Sequence, residues 1–148
     1  DIFRQRQLGY QHALSEAGLP VKDHLIVPGM VSIDSGRTAA ETLLQLADRP
    51  DAIFAVEDFT ALGALKAIKE KRLRVPEDIG IAGFANEQFG EHITPTLTTI
   101  DQQTVNMGTT SMDMLMTLIR GNNPVTEMKK VLEPVLIIRE SSNRNNNV

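Results

Sequence analysis

Residues 50–86 read PDAIFAVEDFTALGALKAIKEKRLRVPEDIGIAGFAN, and this stretch decides the fold. Ala52–Val56 and Ile79–Phe84 are short, unbroken apolar runs. A strand that is apolar on both faces is buried on both faces, the habit of parallel sheets covered by helices. Between the runs, Ala61, Ala64, Leu65 and Ile68 recur at helical spacing, and Asp58 is placed to cap the helix start. Lys69, Lys71, Arg72 and Arg74 crowd its end, where positive charge suits the helix dipole. Pro76 marks the turn into the second run. The unit is strand, helix, strand. Open α/β sheets bind ligands beyond the carboxyl ends of their strands. That rule points at Glu57-Asp58-Phe59 and at Ala85-Asn86-Glu87.

Outward from this unit the alternation continues. Towards the N-terminus, residues 1–17 read as a helix with an apolar stripe of Tyr10, Ala13, Leu14 and Ala17, stopped by Gly18. Arg4 and Arg6 oppose the dipole at its start. They read either as solvated charge or as arginine aimed into a cleft. Leu25–Val27 reads as a strand. Asp34 or Ser35 is placed to cap a helix whose buried stripe is Ala40, Leu43, Leu44 and Ala47. Towards the C-terminus come a loop with Gly90 and Pro95, a brief extended Leu97–Ile100, a helix over 102–120 and a last strand, Val135–Ile138. Met112, Leu115, Met116 and Ile119 mark the apolar face of that helix, and its methionines read as adaptable core. Residues 141–148 are polar and read as a disordered tail. The pattern predicts α/β class with an open parallel sheet and flanking helices.

Composition narrows the function. The 148 residues carry a net charge of −4, which gives no basic surface for nucleic acid. There is no cysteine, so disulfides, thiolate catalysis and cysteine zinc sites are excluded. No apolar run is long enough to span a bilayer. His12, His24 and His92 show no metal spacing, and neither a phosphate-cradling glycine loop nor a serine elbow is present. No metal, cofactor or catalytic residue is expected. Glu57 and Glu87 as a catalytic carboxylate pair is weaker than Glu57 and Glu87 as loop residues able to bind a polar ligand. What remains is a cleft for a small polar molecule. Carboxylates and arginine suit hydroxyl-rich ligands through charge-assisted bonds.

The runs RQRQLGYQHAL (4–14), SGRTAAETLL (35–44), residues 50–87, PTLTTIDQQTVNMG (95–108) and VLEPVLIIRESS (131–142) follow in order. Together they resemble the C-terminal part of the lactose/galactose-repressor (LacI/GalR) family of bacterial transcription regulators. The resemblance implies a cytoplasmic, dimeric regulator whose two-lobed core is like that of periplasmic sugar-binding proteins. A small effector, often a sugar, binds between the lobes and controls operator affinity through an N-terminal helix-turn-helix that this chain lacks. The coupling would be about 1–3 kcal/mol. Residues 1–100 would be the C-terminal lobe, without the family's usual first helix and its normally central first strand. Residues 101–140 would be a crossover helix and strand associated with the other lobe.

The family's ligand positions carry over unevenly. Arg6 stands where the family places its gripping arginine, and Gln102 matches a polar contact near the lobe crossing. Val31 occupies a position often aromatic. Glu57 stands where Asn is usual, Asp58 keeps its place, and Ala85 replaces a common Asp. Leu62 and Ile93 match positions that often face the dimer partner. The alternatives are a periplasmic sugar receptor for transport and an α/β enzyme acting on a sugar.

Overall fold

The computed structural model describes residues 2–121 and 129–144. The order is α1 (Ile2–Glu16), α2 (Ile33–Leu44), β1 (Ala52–Phe54), α3 (Asp58–Glu70), β2 (Gly80–Ala82), β3 (Thr99–Asp101), α4 (Thr104–Arg120) and β4 (Val135–Ile137). β1 and β2 pair in parallel with Ile53 opposite Ile81, and a parallel bridge from Ala82 to Thr98 extends the sheet. β3 pairs antiparallel with β4. Both predicted strands of the central unit form, though shorter than their apolar runs.

The core lies between β1, β2 and the α2–α3 pair. Ala40, Ala61, Ala64, Leu65, Ile68, Ile79, Ile81 and Leu97 are buried there. The helix pair is unusually close because glycine stands at both contacts. A Cβ at Gly36 would lie 2.1 Å from the Thr60 carbonyl oxygen, and one at Gly63 would lie 1.9 Å from that of Ile33. Only a residue without a side chain admits such backbone approach.

Several local expectations are corrected. Leu25–Val27 is no strand; Asp23–Leu25 forms a single 3-10 turn and the chain then runs on without a ladder. An apolar run becomes a strand only when a neighbour takes its backbone polar groups. Helix α2 is capped by Ser32, whose Oγ accepts from Ser35 N at 3.1 Å, rather than by Asp34 or Ser35. Helix α3 is capped by Glu57, not Asp58. The polar tail is anchored as far as Arg144. Ser141 is fully buried, donates to Ile81 O at 2.7 Å and accepts from Thr98 N at 2.8 Å. Arg144 Nε donates to Pro76 O at 2.9 Å. The last four residues of that predicted tail lie outside the described ones.

α1 and α4 differ from this core. Neither contains a buried residue. The predicted stripes exist, but Met112, Leu115 and Ile119 stand 57%, 49% and 68% exposed, so the methionine face is not core in this chain. β1 is also open on one side. Ala55 N–H donates to Ala82 O and Gly80 N–H to Asp51 O, so the alternate residues Ala52 and Phe54 turn their backbone groups away from β2. A cavity of about 820 Å³ runs along that edge, bounded by Phe3, Tyr10, Ile26 and Val31 among others.

Candidate functional site

The carboxyl ends of β1, β2 and β3 lie on one side of the sheet, because Gly83 and Ala85 donate to Thr98 O and Ile100 O and carry the parallel alignment on into β3. Arg6, from α1, sits across these ends. Its Nη1 donates to Val56 O at 2.6 Å, just past β1, and its Nη2 donates to Gln102 Oε1 at 3.2 Å, just past β3. Its guanidinium carbon stands 3.7 Å from the ring centroid of Phe84, just past β2, and 5.4 Å from that of Phe3. One side chain therefore touches the exit of every strand at this edge. Stacking on an aromatic face fixes the plane of the guanidinium, and the two backbone and amide acceptors fix its rotation.

Burial lowers the pKa of Arg6 and the nearby charge of Glu57 opposes that shift. Arg6 Nε is buried without a partner among the described residues. A buried charged donor left without an acceptor is costly. Glu57 is half-buried at the start of α3, where Oε2 accepts from Phe59 N at 2.8 Å and Thr60 N at 3.4 Å. Burial pushes its pKa up, the two backbone bonds pull it down, and the charges of Asp58 and Glu87 push it up again.

The predicted set thus divides. Arg6, Glu57 and Gln102 converge. Val31, 41% exposed, lines the same 820 Å³ cavity as Arg6. Asp58 is fully buried: Oδ1 accepts from Thr99 Oγ1 at 2.7 Å and Oδ2 from Glu87 N at 2.8 Å. Its carboxylate is committed to the protein and ties α3 to the segments after β2 and in β3. Ala85 lies in the strand-end loop with φ of 127°, followed by Asn86 at 57°. Of the two positions matched to a partner-facing surface, Ile93 packs on the core and Leu62 is half-buried on α3.

The sequence reading missed Phe84, although it closes the second apolar run directly before the suspected tripeptide. It also missed a second opening of about 430 Å³ at the foot of α4, lined by Asn86, Asp101, Gln103 and Asn106 among others. Asp101 Oδ1 accepts from Gln103 N at 2.7 Å, and Gln103 Oε1 accepts from Asn106 Nδ2 at 2.8 Å. No group of three or more acidic, histidine or cysteine side chains able to hold a metal occurs among the described residues. No helix among them is long and apolar enough to cross a membrane.

Residues 1–142 match the periplasmic binding protein-like domain family. The chain is 37% identical over 142 residues to the probable HTH-type transcriptional repressor ExuR of Bacillus subtilis, covering 95% of this chain and 42% of that protein. It is 33% identical over 140 residues to the ribose operon repressor of Haemophilus influenzae, again covering 95% and 42%. It therefore spans less than half the length of these relatives. Among solved structures it resembles a CelR–cellobiose complex (TM-score 0.83, 35% identity, 92% of this chain and 41% of that one). It also resembles a LacI-family regulator of Enterococcus faecium with bound ribose (TM-score 0.84, 30% identity, 95% and 51%).

Proposed function

The chain belongs to the periplasmic binding protein-like domain family and corresponds to the C-terminal part of the effector domain of LacI-type regulators; from that premise we propose that it carries half of a small-molecule effector site in a transcription regulator. The observation that carries the reading is Arg6, held across three strand ends by Val56 O, Phe84 and Gln102. The ligand class is a sugar or sugar derivative. The Arg6 guanidinium and Gln102 amide supply donors, the Glu57 carboxylate supplies an acceptor, and Phe3 and Val31 supply apolar wall. A polyol hydroxyl both donates and accepts, so it meets this mixture. The similar proteins known with cellobiose and with ribose support that class. Asp58 and Ala85 act behind the site, through buried bonding and loop geometry rather than by touching the ligand.

The protein acts by allostery and not by turnover, as the regulator relatives suggest. Effector bound between this lobe and a second one biases their arrangement, and operator DNA responds through a helix-turn-helix outside this chain. A homodimer formed on the side of Leu62 and Ile93, in the cytoplasm, completes the proposal. The test is calorimetric titration of the gene product carrying this chain with cellobiose and D-ribose. Arg6→Ala is expected to weaken the ligand that binds by tenfold or more, since bonds from a charged donor are worth roughly 1.5–3 kcal/mol. Its melting temperature should stay within a few degrees. Unchanged affinity would remove Arg6 from the site.

A further inference from the structure

Arg139 leaves β4 and re-enters the lobe with its side chain only 12% exposed. Nη1 donates to Leu97 O at 2.8 Å, and Nη2 donates to Asn86 Oδ1 at 3.0 Å and to Glu91 Oε1 at 2.6 Å. Its own N–H donates to Thr98 Oγ1 at 2.8 Å. It therefore grips the loop after β2, the turn of Gln88–Glu91 and the approach to β3 together. The gripped loop is the strained one, with Ala85 and Asn86 both at positive φ. Positive φ at Ala85 is costly for a residue with a Cβ and persists only where surroundings over-determine it, whereas asparagine adopts the left-handed region readily.

Guanidinium donates and never accepts. The Asn86 amide must therefore turn Oδ1 to Arg139, which leaves Nδ2 to serve the 430 Å³ opening that Asn86 lines. Asp101, with one oxygen taken by Gln103 N, lines the same opening as an acceptor. We propose that Arg139 is a positioning residue for a polar subsite at this second opening: it locks Asn86 as a hydrogen-bond donor, so that Asn86 and Asp101 together select a ligand hydroxyl. The hydroxyl accepts from Asn86 and donates to Asp101. This rests on the hydroxyl-rich ligand class proposed above. It adds Asn86 and Arg139 to the ligand positions Arg6, Val31, Glu57, Asp58, Ala85 and Gln102.

The test combines two variants of the gene product with cellobiose and D-ribose as probes. Asn86→Asp keeps an oxygen for Arg139 and removes the donor from the opening; it should fold as well as the parent and bind the active probe at least tenfold more weakly. Arg139→Gln, able to accept as well as donate, frees the amide to flip and should weaken binding at least fivefold. In the double variant Arg139→Gln should add less than a further twofold, because the donor is already gone. A merely structural Arg139 would give independent, multiplying losses, and that result would overturn the proposal. If Arg139→Gln does not fold, Arg139→Lys, which keeps charge but not the fork, takes its place. A ligand-free arm separates the two readings. The Asn86 side-chain amide NMR signal, assigned by its absence in Asn86→Asp, should shift in the Arg139 variant while that of Asn106 stays. A shift in that arm, together with failure of the parent to bind either cellobiose or D-ribose in titration, would sustain the lock and defeat the sugar reading. No shift would defeat the lock whatever binds.

Discussion

Helices α3 and α4 look alike in the sequence and differ in the fold. Both carry an apolar stripe at helical spacing, and both are long enough to present it. Yet Asp58, Ala61, Gly63, Ala64, Leu65, Ala67 and Ile68 of α3 are buried, whereas no residue of α4 is. α1 behaves like α4. The difference lies in the facing surface. α3 packs against both α2 and β2. α4 is tied to the rest mainly at its start, through Gln103 and the β3–β4 pair. Periodicity says that a helix has a face to bury, and only the neighbouring elements say whether it is buried here.

The comparison breaks most easily at glycines. Gly63→Ala in α3 would force a Cβ to within 1.9 Å of Ile33 O, a backbone atom that cannot rotate away. The helices would have to separate, and the loss is expected at about 3 kcal/mol or more, read as a fall in the denaturation midpoint at constant slope. A loss below about 1 kcal/mol would mean that the α2–α3 pair is looser than described. Next in size is the polar anchor of α3. Asp58→Ala strands the Thr99 hydroxyl and the Glu87 amide in the interior. Two lost bonds to a buried carboxylate should cost about 2–4 kcal/mol by the same measurement. If the variant melts with the parent, Asp58 is not what joins α3 to the strand ends.

The same contrast explains what the sequence did and did not reveal. The central strand–helix–strand unit was legible because each of its signals is local: Ile53 and Ile81 sit in apolar runs, and Ala61 to Ile68 repeat at helical spacing. Glu57 was legible from the strand-end rule and Arg6 as one of two cleft candidates, but Gln102 was legible only through resemblance, because nothing local says that Arg6 meets Val56 and Gln102, 50 and 96 positions further on. Capping was misplaced by a residue at Asp58, because the cap is set by where β1 lets go of its partner. Leu25–Val27 had the composition of a strand and no ladder to join. Ser141 had the composition of a tail and holds two buried backbone groups. In each case the deciding term is tertiary, and composition carries no record of it.

The smallest effect is the sharpest, because it has the opposite sign. Gly9 in α1 and Gly108 in α4 have nothing within 4 Å of where a Cβ would stand, and neither has positive φ. Alanine there meets no obstacle and removes the backbone freedom that glycine has in the unfolded chain. Each substitution should therefore stabilise this chain by about 0.5–1 kcal/mol, the ordinary helix-propensity difference. The gain would appear as a rise of a few degrees in melting temperature or as slower amide exchange along the helix. Repeating Gly108→Ala in a longer gene product tests whether α4 acquires a partner there. A closely packed neighbour would turn the gain into a loss, as at Gly63, while an unchanged gain would leave that side of α4 in solvent. One substitution, measured in two lengths of chain, thus reports whether the exposed stripe of Met112, Leu115 and Ile119 is an interface or a surface.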